Sequence, residues 1–310
     1  MVLKEEIKIS GKYKLQVIKD DGSIKQDTGW FSNLITNGGL DALGDNLYFG
    51  RYCQVGSGNT APANGDTGLA NRIASVDKGG SWCATNLAGA ASSSPYYQYQ
   101  RIVYTFGTGV AAGNISEVGI GWASSGSLYS RALILDINGN PTTITVLSDE
   151  QLIVTYEFRF YPIETDTTGS VTFTGNKGGT YAWTLRPAYI STIYPQLYSG
   201  YILYYVMAPM NLASGYTYTQ GASAGAIAII TSGPNNISSN GMGATPSSYV
   251  AGSHTLNLTL TASTAQANIK ILSMQTLWGP SCVQIGFNPA IAKTSQDTLS
   301  ITLTRSWGRY

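Results

Sequence analysis

Hydrophobic and polar residues alternate along much of this chain with a period of two. The longest run is Gln151 to Tyr161, where Leu152, Val154, Tyr156, Phe158 and Phe160 share one side. Successive strand residues point to opposite faces, so this pattern predicts a strand with one buried and one wet face. Ile102, Tyr104 and Phe106 repeat it, as do Leu256/Leu258/Leu260 and Leu299/Ile301/Leu303. Ile115–Trp122, Ser127–Leu135 and Thr142–Leu147 read as further strands, with Asn138-Gly139 as a turn. Near the start, Ile7/Ile9 and Tyr13/Leu15/Val17 alternate, and Asp21-Gly22 signals a tight turn before Ile24 and Trp30. This predicts a hairpin or meander. Asn37–Gly44, with Leu40 and Leu43, breaks the period and predicts one or two helical turns. The polar Gly56–Gly68 stretch reads as a flexible loop crossing between sheets, with Asp66-Thr67 capping a turn at Leu69–Ile73.

A chain of 310 residues is long for one core. Pro162–Gly169 combines Pro with Glu164 and Asp166, and charge density drops sharply after it. Residues 1–164 hold 12 Lys/Arg and 15 Asp/Glu, whereas residues 165–310 hold 6 and 2. The reading is therefore two lobes, 1–163 and 164–310. The second has strands at Ser170–Thr174, Tyr181–Arg186, Tyr201–Val206, His254–Thr261, Ile269–Leu272, Ser281–Phe287 and Thr298–Trp307. Gly221–Gly252 reads as one short strand, Ala226–Ile230, and a long loop. Spaced strands with polar turns describe β-sandwiches. The predicted fold class is all-β, two sandwich-like lobes with at most one or two short helices.

Composition agrees. Gly (36) and Tyr (21) are abundant, and Tyr and Thr suit a pleated, half-buried surface. Charged residues make up 11% of the chain, against about 25% in an ordinary soluble domain. So few charges leave a surface of Tyr, Ser, Thr and Asn, as in chains packed against neighbours. The net charge is +1 and neither lobe has a basic stripe, which argues against nucleic-acid binding by counterion release. The N-terminus, MVLKEEIKIS, has acidic residues and no apolar core, so no signal peptide is expected. The longest apolar stretch, Tyr201–Met210, is too short to span a bilayer. Cys53, Cys83 and Cys282 lack metal-like spacing and read as small buried hydrophobes; whether Cys53 and Cys83 pair stays open.

Catalytic constellations are thin. His254 is the only histidine, and one residue cannot supply both a triad base and the usual two or three metal ligands. Asp149/Glu150 and Asp20/Asp21 are adjacent, so on a strand they face opposite ways. The second lobe holds only Asp166 and Asp297, too few for the paired carboxylates of glycoside hydrolysis. Glu117, Asp136 and Glu157 would have to converge through the fold, and Glu117 has Arg101, Arg131 and Arg159 as candidate ion-pair partners. Gly56-Ser57-Gly58-Asn59-Thr60 lacks the Lys-Ser/Thr of a phosphate loop. No enzyme, cofactor or metal follows. The live candidates are aromatic: Tyr96, Tyr97 and Tyr99, then Tyr198, Tyr201, Tyr204 and Tyr205, then Tyr216 and Tyr218. Rings of this kind stack on sugars and anchor protein interfaces.

Several segments carry a resemblance. Asn33-Leu34-Ile35-Thr36-Asn37-Gly38-Gly39-Leu40-Asp41 precedes Val55–Leu69, and Ile115-Ser116-Glu117-Val118-Gly119, Leu128–Ala132 and Glu150–Pro162 follow in order. This series resembles structural proteins of tailed-bacteriophage virions, in the tail-fibre, collar and tail-appendage group. The ending, Gly286–Pro289 through Trp307-Gly308-Arg309, resembles the end of phage tail proteins. The resemblance implies a virion protein made in the host cytoplasm. It would act without catalysis through contacts with copies of itself and other virion proteins. No nucleic acid or membrane partner is implied. The alternative is a host-glycan-binding module, with Tyr and Trp of the second lobe as stacking platforms.

Overall fold

The computed structural model describes residues 2–45, 50–78, 88–174, 178–188, 190, 221–223, 226–230, 232, 243–264, 269–278 and 281–310. Cys83, Tyr198, Tyr201, Tyr204, Tyr205, Tyr216, Tyr218 and the strand read at Tyr201–Val206 lie outside these. The architecture is all-β, with a single helix among the described residues.

A nine-stranded sheet organises the molecule. Its order is β17 (Gly243–Pro246), β18 (Thr255–Ala262), β21 (Leu299–Arg309), β1 (Val2–Ile18), β13 (Gln151–Pro162), β8 (Gln98–Phe106) and β7 (Ala88–Ala90). Two short strands, β2 (Ile24–Asp27) and β3 (Phe31–Ser32), also pair with β1. Burial in β1 alternates without a break: odd-numbered residues from Leu3 to Val17 are buried and even-numbered ones are not. Register carries the parity across neighbours, so Tyr13 faces Tyr156, Leu15 faces Val154 and Val17 faces Leu152. The apolar rows of the individual strands thus merge into one inner face. Burying each large apolar side chain contributes about 1.5–3 kcal/mol.

A five-stranded sheet covers part of that face: β4 (Leu34–Ile35), β11 (Leu128–Leu133), β10 (Glu117–Gly121), β5 (Tyr52–Gly56) and β6 (Arg72–Asp77). Aromatic rings fill the seam. Tyr13 and Tyr156 are 4.8 Å apart, Tyr129 and Phe158 5.6 Å, and Phe158 and Phe160 4.3 Å. Buried phenols need partners, and Tyr13 reaches the Ser130 hydroxyl of the opposite sheet at 2.6 Å. Burial pushes the Tyr13 and Tyr129 phenols well above their ordinary range. A two-stranded ribbon, β9 (Gly113–Ile115) with β12 (Ile144–Val146), lies alongside.

The helix, α1 (Asn37–Gly44), begins where Thr36 accepts the Gly39 N–H at 2.8 Å, the usual use of Thr at such a position. Gly39 sits against the Tyr129 carbonyl, where a Cβ would collide. Trp307 of β21 donates its indole N–H to the Leu40 carbonyl at 2.8 Å. The helix thereby joins the small sheet to the last strand.

A second five-stranded sheet runs β14 (Thr167–Phe173), β15 (Gly179–Ala188), β20 (Ser281–Lys293), β19 (Ile269–Trp278) and β16 (Gly221–Ser223). Its buried Leu185, Val283, Ile285, Phe287 and Ile291 belong to the same continuous apolar cluster as Leu256, Leu258, Leu260, Ile301 and Leu303. Ala226–Ile230, expected as a strand, joins no ladder; the Ala228 carbonyl instead accepts from Arg186 and Gln284, each at 2.9 Å.

The large sheet runs across the boundary drawn at 163/164. β21 lies parallel to β1, from Val2 opposite Thr302 to Ile9 opposite Arg309, and β18 pairs with β21. On the inner face Arg305 donates Nε and Nη2 to Glu5 Oε2, both at 2.8 Å, with both residues buried. A division at 163/164 therefore cuts through one sheet.

Candidate functional site

The outer face of the large sheet carries the polar parity of each strand. On β1 this is Lys4, Glu6, Lys8, Ser10, Lys12 and Lys14. On β13 it is Glu157, Arg159 and Tyr161, and on β8 it is Tyr99 and Arg101. Across the ladder Glu157 pairs with Arg101, and Arg159 with Tyr99. Within a strand, residues two apart share a face, so Glu157 is within reach of Arg159 as well.

The result is a layered cluster. Glu157 is 1% exposed although it belongs to the outer face. Its Oε2 accepts Arg101 Nε at 2.7 Å, and its Oε1 accepts Arg159 Nε at 2.6 Å and Nη2 at 2.5 Å. The Arg159 Nη1 reaches the Tyr161 hydroxyl at 3.4 Å. Burial works against the Arg159 charge, but the Tyr161 hydroxyl and Glu157 outweigh it and hold the guanidinium above its ordinary pKa. Rings lie over the cations: Tyr97 is 4.2 Å from the Arg159 guanidinium carbon, and Trp30 and Tyr99 are 5.1 and 4.9 Å from that of Arg101. Such cation–π contacts fix ring and guanidinium together. The rings also touch one another in a row. Tyr99 and Tyr97 are 6.2 Å apart, Tyr97 and Tyr161 5.3 Å, and Tyr161 stacks on Tyr310 at 3.9 Å. Trp30 is 41% and Tyr310 68% exposed.

Of the aromatic candidates, the fold brings Tyr97 and Tyr99 into this row. Tyr96 adjoins it through its backbone, whose N–H donates to Glu164 at 2.6 Å. Trp30, Arg101, Glu157, Arg159, Tyr161 and Tyr310 were not among the expected site residues. The signal for several was present, since Tyr99/Arg101 and Glu157/Arg159/Tyr161 lie at two-residue spacing on the polar sides of strongly alternating strands. Pairing of those strands was needed to make them neighbours.

A second polar node is buried. Glu117 is 0% exposed and Arg131 2%. The Glu117 carboxylate accepts Gly58 N–H at 3.0 Å, Asn71 N–H at 2.7 Å and Ala70 N–H at 3.0 Å, and Arg131 Nε and Nη2 at 3.1 and 2.8 Å. Arg131 also donates to Asp66 at 2.6 Å and to the Thr60 carbonyl at 2.9 Å. The loop expected to be flexible is thus tied along its length to one ion pair. Asp66, expected to cap the Leu69–Ile73 turn, instead accepts the Ala63 N–H at 2.9 Å and Arg131. Partial burial raises its carboxyl pKa, and these two donors more than offset that, leaving it below the ordinary range.

The other residues weighed for chemistry are apart from both clusters. His254, at positive φ just before β18, lies 3.4 Å from Asp41, whose Oδ1 also accepts Tyr249 and Gly252. Asp136 caps its own turn through the Asn138 and Asn140 N–H groups. Cys53 is a free thiol in the core. A cavity of about 260 Å³ beside β14, β15, β20 and β21 is lined by Phe173, Tyr181, Ile291, Lys293, Asp297 and Leu299, among others, and is smaller than most small-molecule sites. Among the described residues no helix is long and apolar enough to cross a membrane, and no group of three or more His, Cys, Asp and Glu could hold a metal ion.

No family model matches the chain, and no characterised protein or solved structure matches it.

Proposed function

We propose that this chain is a non-enzymatic structural component of a tailed-phage virion. It acts as an appendage or adaptor through contacts with copies of itself and with other virion proteins. The observation that carries the reading is the Glu117–Arg131–Asp66 node. Three segments of the phage-like series, the Gly56–Leu69 loop, Ile115–Gly119 and Leu128–Ala132, meet there, and what they share is an architectural task. Glu117 accepts five hydrogen bonds and stiffens a long surface loop. A virion protein needs such fixed loops to dock in register on its neighbours. Glu157, the other first-lobe glutamate weighed as a catalyst, has both oxygens engaged by guanidinium donors.

The row from Trp30 to Tyr310 supports a second reading, host-glycan binding, because its exposed rings, Trp30 and Tyr310, are free to stack on sugar faces. The test of the first reading is particle composition. Virions purified from the lysate in which the chain is made are expected to contain it in multiple copies, and immunogold labelling to place it on the exterior. Recovery of all of the chain in the soluble fraction would refute it.

A further inference from the structure

We infer that Arg101 is a preformed receptor for the carboxylate of an acidic polysaccharide lying across the outer face of the large sheet. This deepens the glycan reading above and rests on it.

Arg101 differs from Arg131, Arg159 and Arg186, the other arginines tied into side-chain clusters. Arg131 and Arg186 engage Nε and both terminal nitrogens with protein acceptors. So does Arg159, through Glu157 and Tyr161. Arg101 uses only Nε, on Glu157. Its two terminal amino groups have no protein acceptor among the described residues, and its side chain is 36% exposed. It is nevertheless held on three sides, by Glu157 beneath and by the rings of Trp30 and Tyr99. A fixed guanidinium edge with open N–H donors matches a carboxylate in a two-point contact. Because it is already braced, little side-chain freedom remains to be lost on binding.

The surroundings select the class of anion. One carboxylate, Glu157, serves two guanidinium groups, so the cluster keeps a positive charge. On the same face of β1, Lys8 pairs with Glu6 and Lys14 with Asp27, whereas Lys4 and Lys12 have no carboxylate partner among the described residues. Cations therefore extend beyond Arg101, as a polyanion requires. The contacts of Arg101 are the Glu157 carboxylate and the rings of Trp30 and Tyr99; the rings of Tyr97 and Tyr161 lie one step further, on Arg159. The row of rings extends past Arg101 to Tyr310, which fits several linked sugars better than one.

The test is calorimetric titration of the full chain with three probes: an oligogalacturonate, the same oligomer with its carboxylates methyl-esterified, and a neutral glucan of equal length. The acid form is expected to bind about tenfold or more tighter than the ester, the loss of a charge-assisted contact, and to weaken with salt. Arg101→Lys keeps the charge but loses the two-point edge, and should cost about tenfold for the acid form and little for the ester. Trp30→Ala should weaken binding of both. Because a variant can misfold, the wild-type Arg101 guanidinium resonances are followed by NMR during titration and should shift with the acid form alone. Equal binding of acid and ester, or an unmoved Arg101 signal, overturns this inference and leaves the glycan reading standing. No binding of any probe overturns both. If Arg101→Lys changes self-association and no sugar binds, the site belongs to a protein partner and the inference is wrong.

Discussion

Glu117→Gln tests the buried node most directly. The substitution replaces one oxygen with an amino group at nearly constant volume. An amide accepts through one oxygen only. Turned toward Gly58 and Asn71, it presents its NH₂ to the Ala70 N–H and to Arg131; turned the other way, it faces the Gly58 and Asn71 N–H groups. Either way donors meet donors in a site closed to solvent. Each stranded buried donor costs about 1–3 kcal/mol, and breaking one side of a buried ion pair costs about 3–5 kcal/mol. Arg131 keeps Asp66 and the Thr60 carbonyl, and the Asp66 side chain is 22% exposed. That softens the loss, so the lower end of the range, about 3 kcal/mol, is expected. Urea denaturation should show a lower midpoint with an unchanged slope, and hydrogen exchange should speed first at Gly58, Ala70 and Asn71. A change below about 0.5 kcal/mol, the level of an ordinary surface substitution, with those amides still protected, would refute the argument.

Three further outcomes follow from the fold. A fragment of residues 1–163 lacks β18 and β21, leaving one edge of β1 open and Leu3 and Ile7 uncovered; it should aggregate or give a poorly dispersed NMR spectrum, and a well-dispersed one would show that the first half folds alone. Gly39→Ala drives a methyl group into the Tyr129 carbonyl and should cost about 1–3 kcal/mol in thermal melts, whereas Gly65→Ala, with nothing within 4 Å, should be neutral. Glu150 is held below the ordinary carboxyl range by Lys25 and then the Leu147 N–H, and Asp166 by Arg186. Their stabilisation is complete above an unfolded-state pKa of about 4 and fades as pH falls through the lowered values; Glu150→Gln should flatten that acid limb, and an unchanged profile would remove Glu150 from the account.

The strands were largely legible, because Leu152 to Phe160, Leu256 to Leu260 and Leu299 to Leu303 alternate so regularly that one buried face is the only consistent reading. The helix start at Thr36 was close to the expected segment for the same local reason. Partnership was not legible. Nothing in the pattern of Leu299 to Leu303 distinguishes pairing with β1 from pairing within the second half. The composition change near residue 164 suggested a domain boundary that the large sheet ignores. The aromatic site was half visible: a run such as Tyr96-Tyr97-Gln98-Tyr99 stands out, but Trp30, Arg101, Glu157 and Tyr310 come from four separate segments. The loop at Gly56–Gly68 looked loose because its anchors, Glu117 and Arg131, are distant in sequence.

The parallel union of β1 with β21 has a consequence for synthesis. Glu5 and Arg305 are 300 residues apart, and at roughly 5–20 residues per second the ribosome needs about 15–60 s to make the second after the first. During that interval β1 can gain β13 on one edge, while residues 2–9 on the other edge lack β21 and Glu5 lacks Arg305. An open strand edge invites pairing with another nascent chain. Lys4 and Lys8, exposed on alternate positions of that stretch, guard it by charge until the last strand arrives. Replacing both with Thr should leave the melting temperature of purified protein unchanged and lower the soluble yield from cells.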